Sequence, residues 1–336
     1  MFAFGSLNST ATLLFFMMLN GSFQALLWPN CVKSVAPWMS QSVRAKYYGV
    51  WGASPYVGGV LATAFAVYLL EIGGWRNCFQ LPAIVVAFVG LLNVMYLRSP
   101  SEVGVAAPNP SAATSKKIGS QTTNSISTVE AMTIPGVPAS SLSFFFIKLT
   151  RYALMMWLPL YLTKVVHLPE DTAGFLSLCF EVGGAISAPF AMPVCSYFVN
   201  GRLIRGVAIY QVTMGVILVV FILTSSYGSL MVMALCIGIA GVCSNSCDML
   251  LSGPIATDFG EIDGMNVQAT VAGLINGVGC LGSVLQGLVI GGVSDTYGWE
   301  YVFYFIILLS FAAAAVLVPA FPVDDRIQMK KTIQLP

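Results

Sequence analysis

Charge is what this chain lacks most. Charged side chains make up 9% of the 336 residues and hydrophobic ones 57%, which leaves too little charge to coat a water-soluble globule. The 15 Lys and Arg residues against 14 acidic ones give a net charge of +1, far short of the basic footprint of a nucleic-acid binder. There is one histidine, His167, and no pair of cysteines at CxxC spacing. The eight cysteines (Cys31, Cys78, Cys179, Cys195, Cys236, Cys243, Cys247 and Cys280) fall almost entirely inside apolar runs. They read as small buried hydrophobes, not as a disulfide framework or metal cluster. Neither a nucleophile, base and orienter set nor a phosphate-cradling GxxxxGK loop can be assembled, so the expectation is no enzyme, no ATP hydrolysis, no metal and no cofactor.

Long apolar runs are abundant. A hydrocarbon core about 30 Å thick takes roughly 20 apolar residues per helix. Runs of that length lie at about 9–32, 48–70, 77–97, 139–163, 172–199, 206–225, 229–255, 267–294 and 299–320. They are continuously apolar, whereas barrel strands alternate, so the expected class is an all-α integral membrane protein with about nine transmembrane helices in the lipid bilayer. Numbering the gaps alternately, one side collects Lys33, Arg44, Lys46, Arg98, Lys116, Lys117, Arg202, Arg205, Arg326, Lys330 and Lys331, and the other only Arg76 and Lys164. Eleven basic residues against two place the first side in the cytoplasm, and with it the segment 98–138 and the tail 321–336. Segment 98–138 is rich in Ser, Thr, Ala, Pro and Gly, with no aromatics, and reads as a cytoplasmic linker between two membrane units.

The chain resembles itself at an offset of about 221–224. Gly5, Ser6 and Leu7 match Gly228, Ser229 and Leu230; Gly52, Val57 and Gly58 match Gly273, Val278 and Gly279; Gly74 and Trp75 match Gly298 and Trp299. Six spans separate the copies, so both have the same orientation, as in transporters built from two parallel six-helix halves. On this pattern 139–320 is a complete half and 1–97 the remainder of another. The expectation is a truncated chain, with a natural nine-span protein as the alternative.

Asn20, Gly21, Phe23, Gln24, Trp28, Pro29 and Cys31, then Trp51, Val57, Gly58, Gly74 and Trp75, and most specifically Phe145, Lys148, Leu149, Tyr152, Trp157, Leu158, Pro159, Leu160 and Tyr161, resemble the major facilitator superfamily. Within it they look like the organophosphate:phosphate antiporter branch and its sugar-phosphate exchangers. Ser99, Pro100, Glu102, Val103 and Gly104 are similar to that branch's entry into the central loop, and Gly298, Trp299, Val302 and Phe303 to the opening of its last helix. The resemblance implies a major facilitator fold, family helices 4–12, with helices 4–6 in 1–97 and 7–12 in 139–320. It also implies phosphate as cargo.

Arg151 falls twelve residues into the 139–163 run, near mid-membrane, where an Arg costs about 2.5–3.5 kcal/mol. Such a residue needs an anion. A phosphate ester suits the planar donor fork of a guanidinium, and by resemblance bacterial relatives keep a phosphate-binding arginine here. The alternative is a permanent bridge to Glu181 or Asp248, the acids expected to gate or to pair. Lys148, three residues earlier on the same face, adds a second cavity charge or snorkels to the surface. Tyr152 and Trp157 flank the arginine, and Asn245, Asn276 and Gln286 bring amides to mid-depth that would meet sugar hydroxyls or join helices.

The expected function is exchange of an organic phosphate, such as glycerol 3-phosphate or a hexose phosphate, for inorganic phosphate by alternating access, in a monomer. The residues do not choose among plasma, endoplasmic reticulum and plastid membranes. Alternatives are a permease for an uncharged sugar or other organic anion, and a non-transporting membrane protein.

Overall fold

The computed structural model describes residues 1–35, 38, 54–98, 102–104, 126–225, 229–261 and 267–333. The start of the second expected span, most of the central linker and the last three residues of the tail lie outside these. The chain divides into two compact units, Met1–Trp51 with Gly58–Gln121, and Gly52–Val57 with Thr122–Pro336.

The first unit contains α1 (Phe2–Ser6), α2 (Thr10–Val35) and most of α3 (Ser54–Tyr96). The expected second and third spans are continuous in α3 except at Gly73 and Gly74, where the helix breaks; Gly74 has φ 71° and ψ −177°, a conformation open essentially only to glycine. Beyond the break, Phe79 packs on Phe4 with ring centroids 4.7 Å apart, Gln80 donates to the Ser6 hydroxyl at 3.0 Å, and Arg76 donates to the Asn8 side-chain carbonyl. These contacts fix α1 against the second half of α3.

The second unit begins earlier than linker composition implies. Ser127 and Glu130 cap α4 (Thr128–Thr133) reciprocally, and Ala131, Ile134 and Val137 are buried. The end of the expected 98–138 linker is thus ordered, because a capping box and three apolar side chains outweigh its polar composition. There follow α5 (Val137–Lys164), α6 (Glu170–Ser187), α7 (Ala191–Phe198), α8 (Leu203–Ser225), α9 (Leu230–Leu250), a wide π-type turn (Leu251–Ile255), α10 (Ala256–Glu261), α11 (Gln268–Tyr297), α12 (Trp299–Val316) and α13 (Phe321–Ile333). Prolines account for two departures from single spans. Pro189 lies in the turn dividing α6 from α7, and Pro254, with no N–H to donate, lies in the wide turn.

Among the described residues, five stretches are long and apolar enough to cross a membrane: Ile72–Tyr96, Leu203–Ser225, Leu230–Gly260, Thr270–Tyr297 and Trp299–Met329. The expected spans 9–32, 48–70, 139–163 and 172–199 lie outside these five, with Val57–Leu70 a shorter apolar helix. Lys148 and Arg151 interrupt 139–163, and the turn at Pro189 divides 172–199 into two shorter helices.

Glycines set how closely the helices of this unit approach. A Cβ on Gly183 of α6 would lie 2.0 Å from the carbonyl oxygen of Gly238 on α9, and one on Gly241 would lie 2.0 Å from that of Phe180. A Cβ on Gly282 of α11 would lie 2.1 Å from the carbonyl of Phe145 on α5. Backbone therefore meets backbone along two seams, as small residues allow in membrane helices. Two apolar clusters fill the unit. One joins Phe144, Ile147, Val207, Leu250, Phe259 and Ile275; the other joins Leu154, Leu158, Met214, Phe221, Phe303 and Ile306. In the second, Tyr161 stacks on Phe303 with centroids 3.7 Å apart.

Candidate substrate-binding site

The turn of α5 carrying Lys148 and Arg151 lies between the two apolar clusters, since Phe144 and Ile147 belong to one and Ala153 and Leu154 to the other. Both cations therefore sit where apolar packing changes hands. The close approach of α11 decides where Lys148 goes. With no Cβ on Gly279, the lysine stem lies over that position, within 3.3 Å of where a Cβ would stand. Its ammonium donates to Asn276 Oδ1 at 2.8 Å and to Cys280 Sγ at 3.5 Å, and stands 4.7 Å from the Phe144 ring centroid. Lys148 is 9% exposed, held by hydrogen bonds and a ring face rather than turned to open water.

Arg151 points to α9. Its Nη1 donates to Asp248 Oδ2 at 2.7 Å, and the two side chains are 14% and 25% exposed. Of the two acids expected as partners, Asp248 makes this ion pair. It sits at the end of α9, three residues before the wide turn that Pro254 opens. Glu181 on α6 is half-buried, and its Oε1 has no hydrogen-bond partner among the described residues.

The remaining expected residues divide. Trp157 donates its indole N–H to Gln286 Oε1 at 2.8 Å and lies 5.5 Å from the ring of Trp299, so it links α5 to α11 and α12. Tyr152 is half-buried beside Arg151. Asn276 is exposed and touches Lys148. Asn245, expected to meet sugar hydroxyls or to join helices, joins helices. It is 1% exposed, and its Nδ2 donates to the Gly184 carbonyl at 2.6 Å and to Ser187 Oγ at 2.8 Å, because the glycine seam brings α6 onto α9 at that level. Cys280 beside Lys148 was not among the expected site residues. The signal for Cys280 is helical spacing: it lies four residues after Asn276 on one face of α11.

The described arrangement is two cations one turn apart on one helix. One is bound by an amide and a thiol, the other by a carboxylate on a neighbouring helix. An anion with two acceptor oxygens can compete with Asp248 for the guanidinium fork.

The family model of the Major Facilitator Superfamily matches residues 1–287. The glucose-6-phosphate exchanger SLC37A2 of Bos taurus is 29% identical over 337 residues, covering 89% of this chain and 66% of the relative; its Homo sapiens counterpart is 30% identical over 331 residues, covering 89% and 65%. An Arabidopsis thaliana protein provisionally named a glycerol-3-phosphate transporter is 27% identical over 338 residues, covering 93% and 64%. The chain thus spans about two thirds of the length of these relatives. Among solved structures, the crystal structure of a bacterial homologue of the iron transporter ferroportin in an outward-facing state matches with a TM-score of 0.50 and 17% identity, over 89% of this chain and 67% of that one. That likeness speaks for the fold alone. With long apolar helices and a family match over most of its length, the chain is a multi-pass integral membrane protein and belongs to the Major Facilitator Superfamily.

Proposed function

We propose that the protein exchanges an organic phosphate, of the glycerol 3-phosphate or hexose phosphate kind, for inorganic phosphate by alternating access. The observation that carries this reading is the Arg151–Asp248 pair joining α5 to α9, with Lys148 one turn away. Asp248 holds the guanidinium between cargoes; the phosphate group displaces the carboxylate and takes the fork bidentately. Lys148 supplies a second positive charge, and Tyr152, Trp157 and Asn276 line the organic part of the cargo. Neutralising the cations lowers the cost of passing through an occluded state, so the loaded carrier changes conformation more readily than the empty one. The phosphate esters named in the relatives support this substrate class.

Arg151→Lys tests it, because an ammonium keeps the charge and loses the fork. In proteoliposomes carrying the full chain, counterflow of radiolabelled phosphate falls at least about tenfold, the loss of roughly one charge-assisted hydrogen bond. Counterflow equal to wild type would count against it.

A second reading is favoured by the same 2.7 Å contact: a permanent Arg151–Asp248 bridge in a permease for an uncharged sugar or other anion. Inorganic phosphate competes with uptake under the first reading and is without effect on sugar uptake under the second.

A further inference from the structure

On the second unit a groove of about 550 Å³ runs between α8 and α12, within the roughly 300–1,000 Å³ of small-molecule sites. Its walls are apolar, including Ile209 and Val212 from α8 and Phe311 and Ala315 from α12. One cation, Arg205, stands at the end near Phe321, with its guanidinium carbon 5.5 Å from that ring's centroid. This polarity, one charged end on a long apolar trough, is that of an amphiphile.

The charge at the mouth decides which amphiphile. Arg205 Nη2 donates to Asp325 Oδ2 at 2.5 Å, and Arg202 Nε lies 2.7 Å from Oδ1 of the same carboxylate, an ionic contact not aligned as a hydrogen bond. Two guanidinium groups thus share one acid. The neighbouring Asp324 is 3% exposed and turned inward, accepting the Arg205 backbone N–H at 3.1 Å at the start of α8. Arg205 Nε is buried without an acceptor among the described residues. Arg202 and Arg205 belong to the basic side of the chain, which the charge asymmetry puts in the cytoplasm, where the leaflet is anionic and basic pockets between helices take anionic head groups.

We propose that this groove binds one anionic glycerophospholipid of the cytoplasmic leaflet, its acyl chain along α8 and α12 and its phosphate on Arg205. A zwitterionic lipid fits the trough equally well but brings a cation to a mouth lined by two guanidinium groups.

The full chain, purified in detergent and stripped of lipid, is titrated with phosphatidylglycerol or phosphatidylcholine of the same acyl composition, and bound lipid is counted by native mass spectrometry alongside the unfolding midpoint. Phosphatidylglycerol is retained about fivefold better, the worth of one basic residue at an anionic surface, and Arg205→Gln removes the preference. Ile209→Trp, which fills the trough and leaves the Arg202–Asp325–Arg205 contacts intact, lowers retention of both lipids. Equal retention of the two lipids by the unaltered chain overturns the proposal, as does a preference that survives Arg205→Gln. If Arg205→Gln fails to fold, Ile209→Trp decides, and retention unchanged from wild type overturns it. Stabilisation by inorganic phosphate alone that Arg205→Gln abolishes, or a bound mass equal to a second copy of the chain, also overturns it.

Discussion

Arg151 and Asp248 keep 14% and 25% of their side-chain surface, so the pair is neither sealed in the apolar interior nor screened like a surface bridge. That intermediate state matters for exchange. A fully buried pair costs about 3–5 kcal/mol to break from one side, too much for a cargo to displace easily, whereas an exposed one contributes about 0–1 kcal/mol and holds nothing in place. Under the proposed mechanism Asp248 is a competitor for the cargo. Asp248→Asn therefore lowers the phosphate concentration for half-maximal exchange by roughly tenfold, the equivalent of about 1.5 kcal/mol from one charge-assisted hydrogen bond. Half-saturation by phosphate read at several internal loads checks this, and a permanent bridge predicts weaker or unchanged phosphate dependence. The arginine's need for an anion was legible from its depth in an apolar run. Which acid answers it was not, because Glu181 and Asp248 lie on different helices and the choice depends on how α6 and α9 turn against α5. The choice between the two roles expected of Asn245 was hidden for the same reason. An amide at mid-depth looks alike on paper whether it faces a cavity or, as here, the carbonyl of Gly184.

At the scale of elements, the site is held by backbone contact rather than by large side chains. The 2.0 Å approach that a Cβ at Gly183 would make is to a carbonyl of α9, which cannot rotate away like a side-chain tip, so α6 and α9 would have to separate. Gly183→Ala therefore destabilises the second unit by at least the roughly 1–3 kcal/mol of an overpacked core. Gly287→Ala, where a Cβ meets nothing within 4 Å inside α11, leaves the unfolding midpoint unchanged or raises it, since alanine favours a helix by about 0.5–1 kcal/mol over glycine. Thermal unfolding of the two variants in one detergent distinguishes a close-packing role from generic glycine flexibility; equal midpoints would remove that role. Apolar run length located the helices well, because in lipid a continuous run has few other outcomes. It did not locate the interruptions. The break at Gly73–Gly74, the turn at Pro189 and the wide turn around Pro254 cost hydrophobicity nothing, so they are invisible to a count of apolar residues and readable only from backbone chemistry.

Over the whole molecule, the internal repeat and the charge asymmetry are independent lines of evidence about orientation. Gly74–Trp75 and Gly298–Trp299 recur at matched positions, and both glycines have positive φ with ψ near 180° (71° and −177°; 96° and 165°), so the repeat is one of backbone geometry as well as letters. Each pair sits at a helix junction where only glycine passes without strain. If the two copies are parallel, an even number of crossings lies between them, and the central segment and the tail share a side; the eleven-to-two distribution of basic residues predicts that this side is cytoplasmic. A cysteine placed at Ser120, in the central segment, is then shielded from a membrane-impermeant maleimide on intact cells and reacts after permeabilisation. One placed at the exposed Glu170, in the gap that holds Lys164, reacts before permeabilisation, each measured against the native-cysteine background of the unaltered chain. Reversed labelling would invert the leaflet that Arg202 and Arg205 face. Labelling of both positions from one side would break the parallel repeat itself, since 120 and 170 are separated by a single expected crossing, the 139–163 run that holds Lys148 and Arg151.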